Sequence, residues 1–462
     1  MQRFGRSLFS ACLLGVAMGC ASDPSIPDAS ISDASIDAGD ATSDTRGDAG
    51  GETGSLPLRH PFDAERAERG EAFLYAARGA GIPWEALSNL WVVWGQPGLS
   101  DEAYWAEFSR RYGLVPRDDG GLPFGILRDG AEGSIQCLAC HTDRIAGQTF
   151  IGAGNSRVQL GQLYLDLVEL RERAAMFGVT VPPVPEVWHD AFRDRTAAPG
   201  ATDAYGMGMT LAIATGAADL ETHYGFQQPA AWWQFAFKDR IYSDGTSPSE
   251  NFRTMMATSL ASNATLAEVM AEEANFEDLR HYLLSLRPPA WPFEAPEADA
   301  VAAGRAVFED RCAGCHGSYG AGGDYPDRIV DVGTDAVRHT RLSSAEIDWL
   351  NATWFGEDPL METAGYLAPP LVGVWATAPY FHNGSVPDLR SVLRPSERPA
   401  LWCHEGSGDE YDVERVGIAY SASSPGLCYD TAIAGLSADG HDFAEDLGDV
   451  DIDALLAFLK TL

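Results

Sequence analysis

Basic residues are scarce in this chain of 462 residues: 32 Lys and Arg stand against 67 Asp and Glu, a formal net charge of -35. That excess excludes charge-driven binding to nucleic acid phosphates or to an anionic lipid surface. It suits a cationic partner, or it simply keeps the chain soluble. Hydrophobic residues make up 45% and charged residues 21%, which excludes both a disordered polyelectrolyte and a multi-span membrane protein. Segments that alternate like strands are few, so the folded part is expected to be mainly α with long irregular loops. Cysteine is sparse too, eight in the whole chain, and the positions of those eight are the most informative feature of the sequence.

The first residues read as an address. Arg3 and Arg6 precede an apolar run from Leu8 to Met18, too short to span a bilayer and typical of a secretory signal. The run ends Ala17-Met18-Gly19-Cys20, which resembles a bacterial lipoprotein cleavage site with Cys20 as the lipidated first residue. Ordinary cleavage near Ala21 is the alternative, leaving a soluble periplasmic protein. Residues 22–56 hold eight acidic residues, one Arg and no Phe, Trp or Tyr, a composition that cannot bury enough surface to fold. The expected organisation is a signal over 1–20, an acidic tether over 21–56, and two folded regions over 57–290 and 291–462.

Of the eight cysteines, Cys12 and Cys20 lie in the signal region. Four more form Cys137-Leu138-Ala139-Cys140-His141 and Cys312-Ala313-Gly314-Cys315-His316. Cys-x-x-Cys-His is the attachment signature of c-type haem: both thiols add to haem vinyl groups and the His becomes an axial iron ligand. This composition yields about 0.003 such runs by chance. A zinc ribbon needs paired Cys-x-x-Cys elements about 15 to 20 residues apart, far closer than these two runs. A redox dithiol explains neither His141 nor His316. Two covalently bound haem c groups are therefore expected, and export agrees with them, because c-type haem is attached outside the cytoplasm. Cys403 and Cys428 remain. In an oxidising compartment they are expected to form a structural disulfide, a reactive thiol pair being the alternative.

Each haem motif has a similar setting, which points to two cytochrome c-like haem domains. Ala298 to Arg311 reads as a helix carrying Gly304 and Phe308 just before Cys312, and Ile452, Leu455, Leu456 and Leu459 form an amphipathic closing helix. In cytochrome c folds a Gly and an aromatic on the first helix pack against the last one. Gly70 and Phe73, with a closing helix through Phe276, Leu279, Tyr282, Leu283 and Leu286, repeat the arrangement. The prolines of the Leu286 to Pro292 segment end that helix and mark the boundary.

Several blocks carry a family resemblance. Asp331 to Asp335, Gly365-Tyr366-Leu367-Ala368-Pro369-Pro370-Leu371 and Ala378-Pro379-Tyr380-Phe381-His382-Asn383-Gly384-Ser385 resemble signature blocks of exported di-haem cytochromes related to the bacterial di-haem cytochrome c peroxidases. With Arg398-Pro399, Tyr411-Asp412 and Gly440-His441-Asp442-Phe443, and with Gly121 to Gly125 and Pro229-Ala230-Ala231-Trp232-Trp233 earlier, the chain looks most like the rubber oxygenase-type branch. The resemblance implies one haem open to O2 or H2O2 and another, ligated on both faces, that tunes or relays electrons. It implies His441 as the second ligand beside His316. Met361 is the only methionine after His316, but it precedes the Pro379 block, whereas the peroxidases place theirs after it. His382 is expected to orient a haem propionate or a loop.

For the first haem no motif after His141 supplies a sixth ligand; His189, His223, Met207, Met209, Met255 and Met256 all remain open. A vacant distal face is the sharper expectation. Trp232, Trp233, Phe235 and Phe237 would then wall the pocket or serve as core around the haem edge, with Lys238 or Arg240 polarising an oxygen species or a propionate. The function expected is a redox enzyme using O2 or H2O2 on a small or hydrophobic substrate. The alternative is a non-catalytic electron-transfer cytochrome meeting a redox partner with a basic docking face. Neither reading involves nucleic acid, and a membrane enters only through a lipid anchor.

Overall fold

Two helix pairs organise the chain in the computed structural model, which describes residues 55–76, 82–176, 178, 198–200, 226–260, 266–340 and 342–462. Residues 1–54, with the segments read as a signal and a tether and with Cys12 and Cys20, lie outside these residues, as do His189, Met207, Met209 and His223. Six helices of eleven residues or more are described: α1 (Ala64–Tyr75), α2 (Asp101–Tyr112), α3 (Leu160–Met176), α4 (Glu273–Ser285), α5 (Ala298–Arg311) and α6 (Asp449–Leu459).

α1 packs on α4 and α5 packs on α6. Each pair closes at a glycine. A Cβ on Gly70 would stand 2.2 Å from the Asp278 carbonyl oxygen, and one on Gly304 would stand 1.9 Å from that of Ala454, so only glycine lets the backbones approach this closely. Beside each glycine an aromatic pair fills the crossing: Phe73 on Phe276 at 5.3 Å, and Phe308 on Phe458 at 5.2 Å between ring centroids. Ion pairs fasten the first crossing from outside, with Arg66 and Arg69 both on Asp278. The Asp63 side chain caps α1 by accepting from the Arg66 N–H.

The expectation of a mainly α chain with few strands needs correction. Among the described residues helix accounts for 38% and strand for 13%. The strands are two to four residues long and pair in small antiparallel sheets, some as local hairpins and some between distant segments, one three-stranded sheet and five two-stranded ones among the described residues. Strands this short leave no alternation to read. One hairpin, Thr142–Ile145 with Gln148–Ile151, follows His141 directly. Another pairs Leu401–His404 with Leu427–Asp430 and brings Cys403 opposite Cys428, which form a disulfide.

A single apolar core runs through both halves, joining Leu74, Trp233 and Phe276 to Phe308, Trp375 and Phe458. The proline-rich segment after α4 is packed into it: the Trp375 indole donates to the Pro289 carbonyl at 3.0 Å, and Trp291 lies edge-on to Trp375. The first half carries an additional core of its own, where α2 and α3 enclose Phe108, Tyr112, Leu163 and Leu167. No described helix is long and apolar enough to cross a membrane.

Candidate functional site

The two Cys-x-x-Cys-His runs sit at corresponding places beside the helix pairs. Cys137–Ala139 form a tight turn in which the His141 N–H donates to the Cys137 carbonyl at 2.9 Å. Cys312 ends α5, and the His316 N–H donates to the Cys312 carbonyl at 3.0 Å. Asn155 clamps the first turn, its Nδ2 donating to the carbonyls of Ala139 and Gly113 at 2.8 Å each. At the second, the Tyr319 hydroxyl donates to the His316 carbonyl and accepts from the Leu371 N–H.

Both imidazoles are tethered in the same way. His141 Nδ1 lies 3.2 Å from the Ala230 carbonyl and His316 Nδ1 lies 2.9 Å from that of Pro369. A carbonyl can only accept, so each Nδ1 carries the proton and each Nε2 keeps its lone pair for a metal. Burial holds both rings neutral, lowering His141 to about 4 and His316 in the same direction. Yet neither ring is fully shut off from solvent, as befits side chains lining a cleft.

Across from His316 stands His441. Their ring centroids are 6.2 Å apart. Two imidazoles this close border one crevice, and both could hold a metal bound in it. His441 adopts a left-handed backbone, φ +58°, uncommon for a residue with a Cβ and frequent at functional positions. Its N–H donates to the Val332 carbonyl at 2.8 Å, and Gly440 lies on Gly333 so closely that a Cβ would come within 2.3 Å of the Gly333 backbone. The Asp331 to Asp335 and Gly440 to Phe443 blocks are therefore two sides of one support. Phe381 and Phe443 flank the His441 ring at 6.0 and 5.2 Å, and burial first, then the nearby His316, lowers its pKa to about 4. Met361 lies elsewhere, 43% exposed, with its N–H on the Thr246 carbonyl.

The residues present fit haem c. None of the four motif cysteines is in a disulfide, and burial pushes Cys140 up to about 12 and Cys312 up to about 11, so these two stand as neutral thiols. Among the described residues no three His, Cys, Asp or Glu side chains converge on a cation site.

The pocket expected around His141 is arranged differently. Trp232 does not face His141 across a cleft; it stacks on that ring, centroids 4.5 Å apart and planes 23° apart. The cause is local: the Trp232 N–H donates to the Gly152 carbonyl two residues after Ala230 has taken His141 Nδ1, which holds the indole beside the imidazole. Trp233 points into the core, fully buried, its indole donating to the Val372 carbonyl at 3.1 Å. Phe235 and Phe237 are likewise core. Arg240 clasps its own loop, donating to the Gly245 and Thr246 carbonyls, and is not poised toward an oxygen species. Met256 is fully buried. His382 stacks on Tyr366 at 3.9 Å, its Nε2 is buried without a hydrogen-bond partner, and burial lowers its pKa to about 3.

Sequence reasoning missed the two carbonyl tethers. A signal was present, since each lies in a proline-containing block downstream of its motif, Pro229-Ala230 and Pro369-Pro370, where a carbonyl is kept out of secondary structure.

Paired thiols before a carbonyl-tethered imidazole, set beside a glycine-locked helix pair, are the features of a c-type haem site. Comparison with known proteins agrees on the class. Residues 365–403, which include Pro369, His382 and Cys403, match the family described as RoxA-like, cytochrome c-like. A cytochrome c-like domain is present, and haem c is the cofactor it implies. Two curated relatives are uncharacterised proteins of Sinorhizobium fredii (strain NBRC 101917 / NGR234). One, y4iJ, is 30% identical over a 250-residue alignment covering 38% of this chain and 41% of the relative. The other, y4iM, is 32% identical over 196 residues, covering 35% and 44%. The matches thus span less than half of either relative. A solved structure, of a MauG-like protein associated with microbial copper homeostasis, is 16% identical with a TM-score of 0.26, covering 88% of this chain and 93% of that one.

Proposed function

We propose that the chain is an exported di-haem c-type cytochrome and a redox enzyme that uses O2 or H2O2. Cys137, Cys140 and His141 hold the reacting haem, and Cys312, Cys315, His316 and His441 hold the haem that relays or tunes. When bound, haem c supplies a redox iron whose axial ligands set its potential and reactivity.

The observation that carries this reading is the 6.2 Å separation of the His316 and His441 rings. If both imidazoles hold one haem, that haem would have no open side, which leaves uptake of a small oxidant to the crevice of His141. There the chain's own part is orientation: the Ala230 carbonyl fixes the tautomer of His141, and Trp232, flat against the ring, fixes its plane. The signal-like first twenty residues support export to the periplasm or, with Cys20 lipidated, anchoring at the outer membrane of a Gram-negative bacterium. The acidic surface suits a redox partner with a basic docking face.

The same closed crevice favours a second reading, an electron-transfer cytochrome without a substrate of its own. Ligand addition separates the two. CO on the reduced protein, or cyanide or imidazole on the oxidised protein, is expected to perturb about half of the haem absorbance. Two fully low-spin ferric signals in paramagnetic resonance, with no ligand-sensitive fraction, would replace the enzyme by the electron carrier.

A further inference from the structure

Only two lysines occur in the chain, Lys238 and Lys460, and Lys238 is in the interior with 6% of its surface exposed. The buried arginines have partners there, Arg157 on Asp143 and Arg338 on Asp244. Lys238 is different. Among the described residues no carboxylate forms an ion pair or hydrogen bond with its ammonium, and the one opposing charge that acts on it, Asp327, does so from farther away. Asp327 is already engaged: its Oδ2 accepts from Arg59 and from the Asp239 N–H, while its Oδ1 is buried with no hydrogen bond. An ammonium carried by a residue this buried, with no anion against it, is unfavourable, and an anion brought to it would relieve the cost. Burial lowers Lys238 to about 8, the response expected while that anion is missing.

The surroundings indicate which anion. The strip that holds His141 through Ala230 and Trp232 continues as the turn Trp232–Phe237 and delivers Lys238 at its end. On the other side, Asp327 follows Tyr325 by two residues. The Tyr325 hydroxyl donates to the Ala368 carbonyl, next to the Pro369 carbonyl that tethers His316. Lys238 thus ends the strip that tethers His141, while Asp327, whose charge acts on it, belongs to the segment braced against the support of His316; of the neighbouring cations, Arg240 is turned into its own loop, Arg59 is taken by Asp327 and Arg328 donates to the Gly314 carbonyl.

We propose that Lys238 is the counter-cation of a haem propionate at the junction of the two haem crevices. The proposal rests on the di-haem reading above. Haem is the ligand that brings carboxylates into this part of the interior, and a compact ammonium matches one carboxylate in a narrow site, where a guanidinium fork needs more acceptors. The expected consequence is electrostatic. A fixed positive charge beside a propionate disfavours the ferric state, so it raises the potential of the haem it serves.

The test is spectroelectrochemical titration of the haem-loaded protein and of Lys238→Met, Lys238→Gln and Lys238→Arg. Haem content is read separately by in-gel haem stain. Lys238→Met and Lys238→Gln should keep both haems and raise the oxidised-to-reduced ratio of one haem about tenfold at the wild-type midpoint, a fall of about 59 mV for a one-electron couple. Lys238→Arg, which keeps the charge, should move it far less. Unchanged potentials for both haems in haem-loaded Lys238→Gln would overturn the assignment while leaving the di-haem reading intact. So would a Lys238→Met protein that is merely less stable and is rescued by Asp327→Asn, because Lys238 would then serve Asp327 through a bridging water. Wild-type protein without covalent haem would overturn both readings together.

Discussion

In the N-terminal half Gly70 meets the Asp278 carbonyl, Phe73 meets Phe276, and the Ala230 carbonyl holds His141. In the C-terminal half Gly304, Phe308 and Pro369 make the same three contacts, with Ala454, Phe458 and His316. The halves part company on the opposite side of the imidazole. His316 faces His441, carried on a left-handed turn braced by Val332 and Gly333, whereas the ring seen against His141 is Trp232, stacked on it. One frame, used twice, thus presents two different centres. What tells them apart lies in loops far from either motif in sequence, 125 residues beyond His316 in the case of His441.

The comparison breaks most sharply if the two halves do not each carry a haem. Replacing Cys137 and Cys140 by Ala should remove about half of the covalent haem, and replacing Cys312 and Cys315 the other half, read as haem stain on denaturing gels and as reduced pyridine complex. Loss of all haem from either double variant would mean that the halves load as one unit.

The difference between the centres is sharpened by His441→Ala. It should turn the C-terminal haem from low to high spin and admit CO there, so that both haems respond where one did. Met361→Leu should leave the spectrum as it was. A spectral change confined to Met361→Leu would exchange the roles of these residues.

The smallest expected effect tests the shared frame. Gly70→Ala and Gly304→Ala each force a methyl onto a backbone carbonyl, and each should destabilise by roughly 1–3 kcal/mol, seen as a lower midpoint in denaturant with an unchanged slope. If Gly304→Ala alone were destabilising, the first helix pair would be the looser crossing, and the likeness between the halves would be one of outline only.

Much of this was legible in the sequence because it depends on residue type at short range. Cys-x-x-Cys-His is complete within five residues, so Cys137 to His141 and Cys312 to His316 needed no fold to be recognised. Helical periodicity marked Ala298–Arg311 to the residue, since an apolar stripe repeats every three or four positions, and likeness to cytochrome c folds singled out Gly70, Phe73, Gly304 and Phe308, though not Phe458, the partner of Phe308. The hairpins escaped because two to four residues contain no period. The pairing of Cys403 with Cys428, a matter of two leftover cysteines, was open to simple counting.

Position across a cleft has no local signature. The run Trp232-Trp233 reads the same whether its indoles wall a distal pocket or, as the backbone path from Ala230 dictates, stack on His141 and fill the core. Arg240 and Lys238 are both cations near one aromatic strip, and only the folded chain turns the first into its own loop and leaves the second buried without an anion. The sequence by itself determined the attachment chemistry, the two helix frames and the acidic character of the surface, because these follow from identity and spacing along the chain. The tertiary structure decided which imidazole faces which and which carbonyl holds each ring, because those contacts join segments 53 to 125 residues apart and depend on how the intervening loops close.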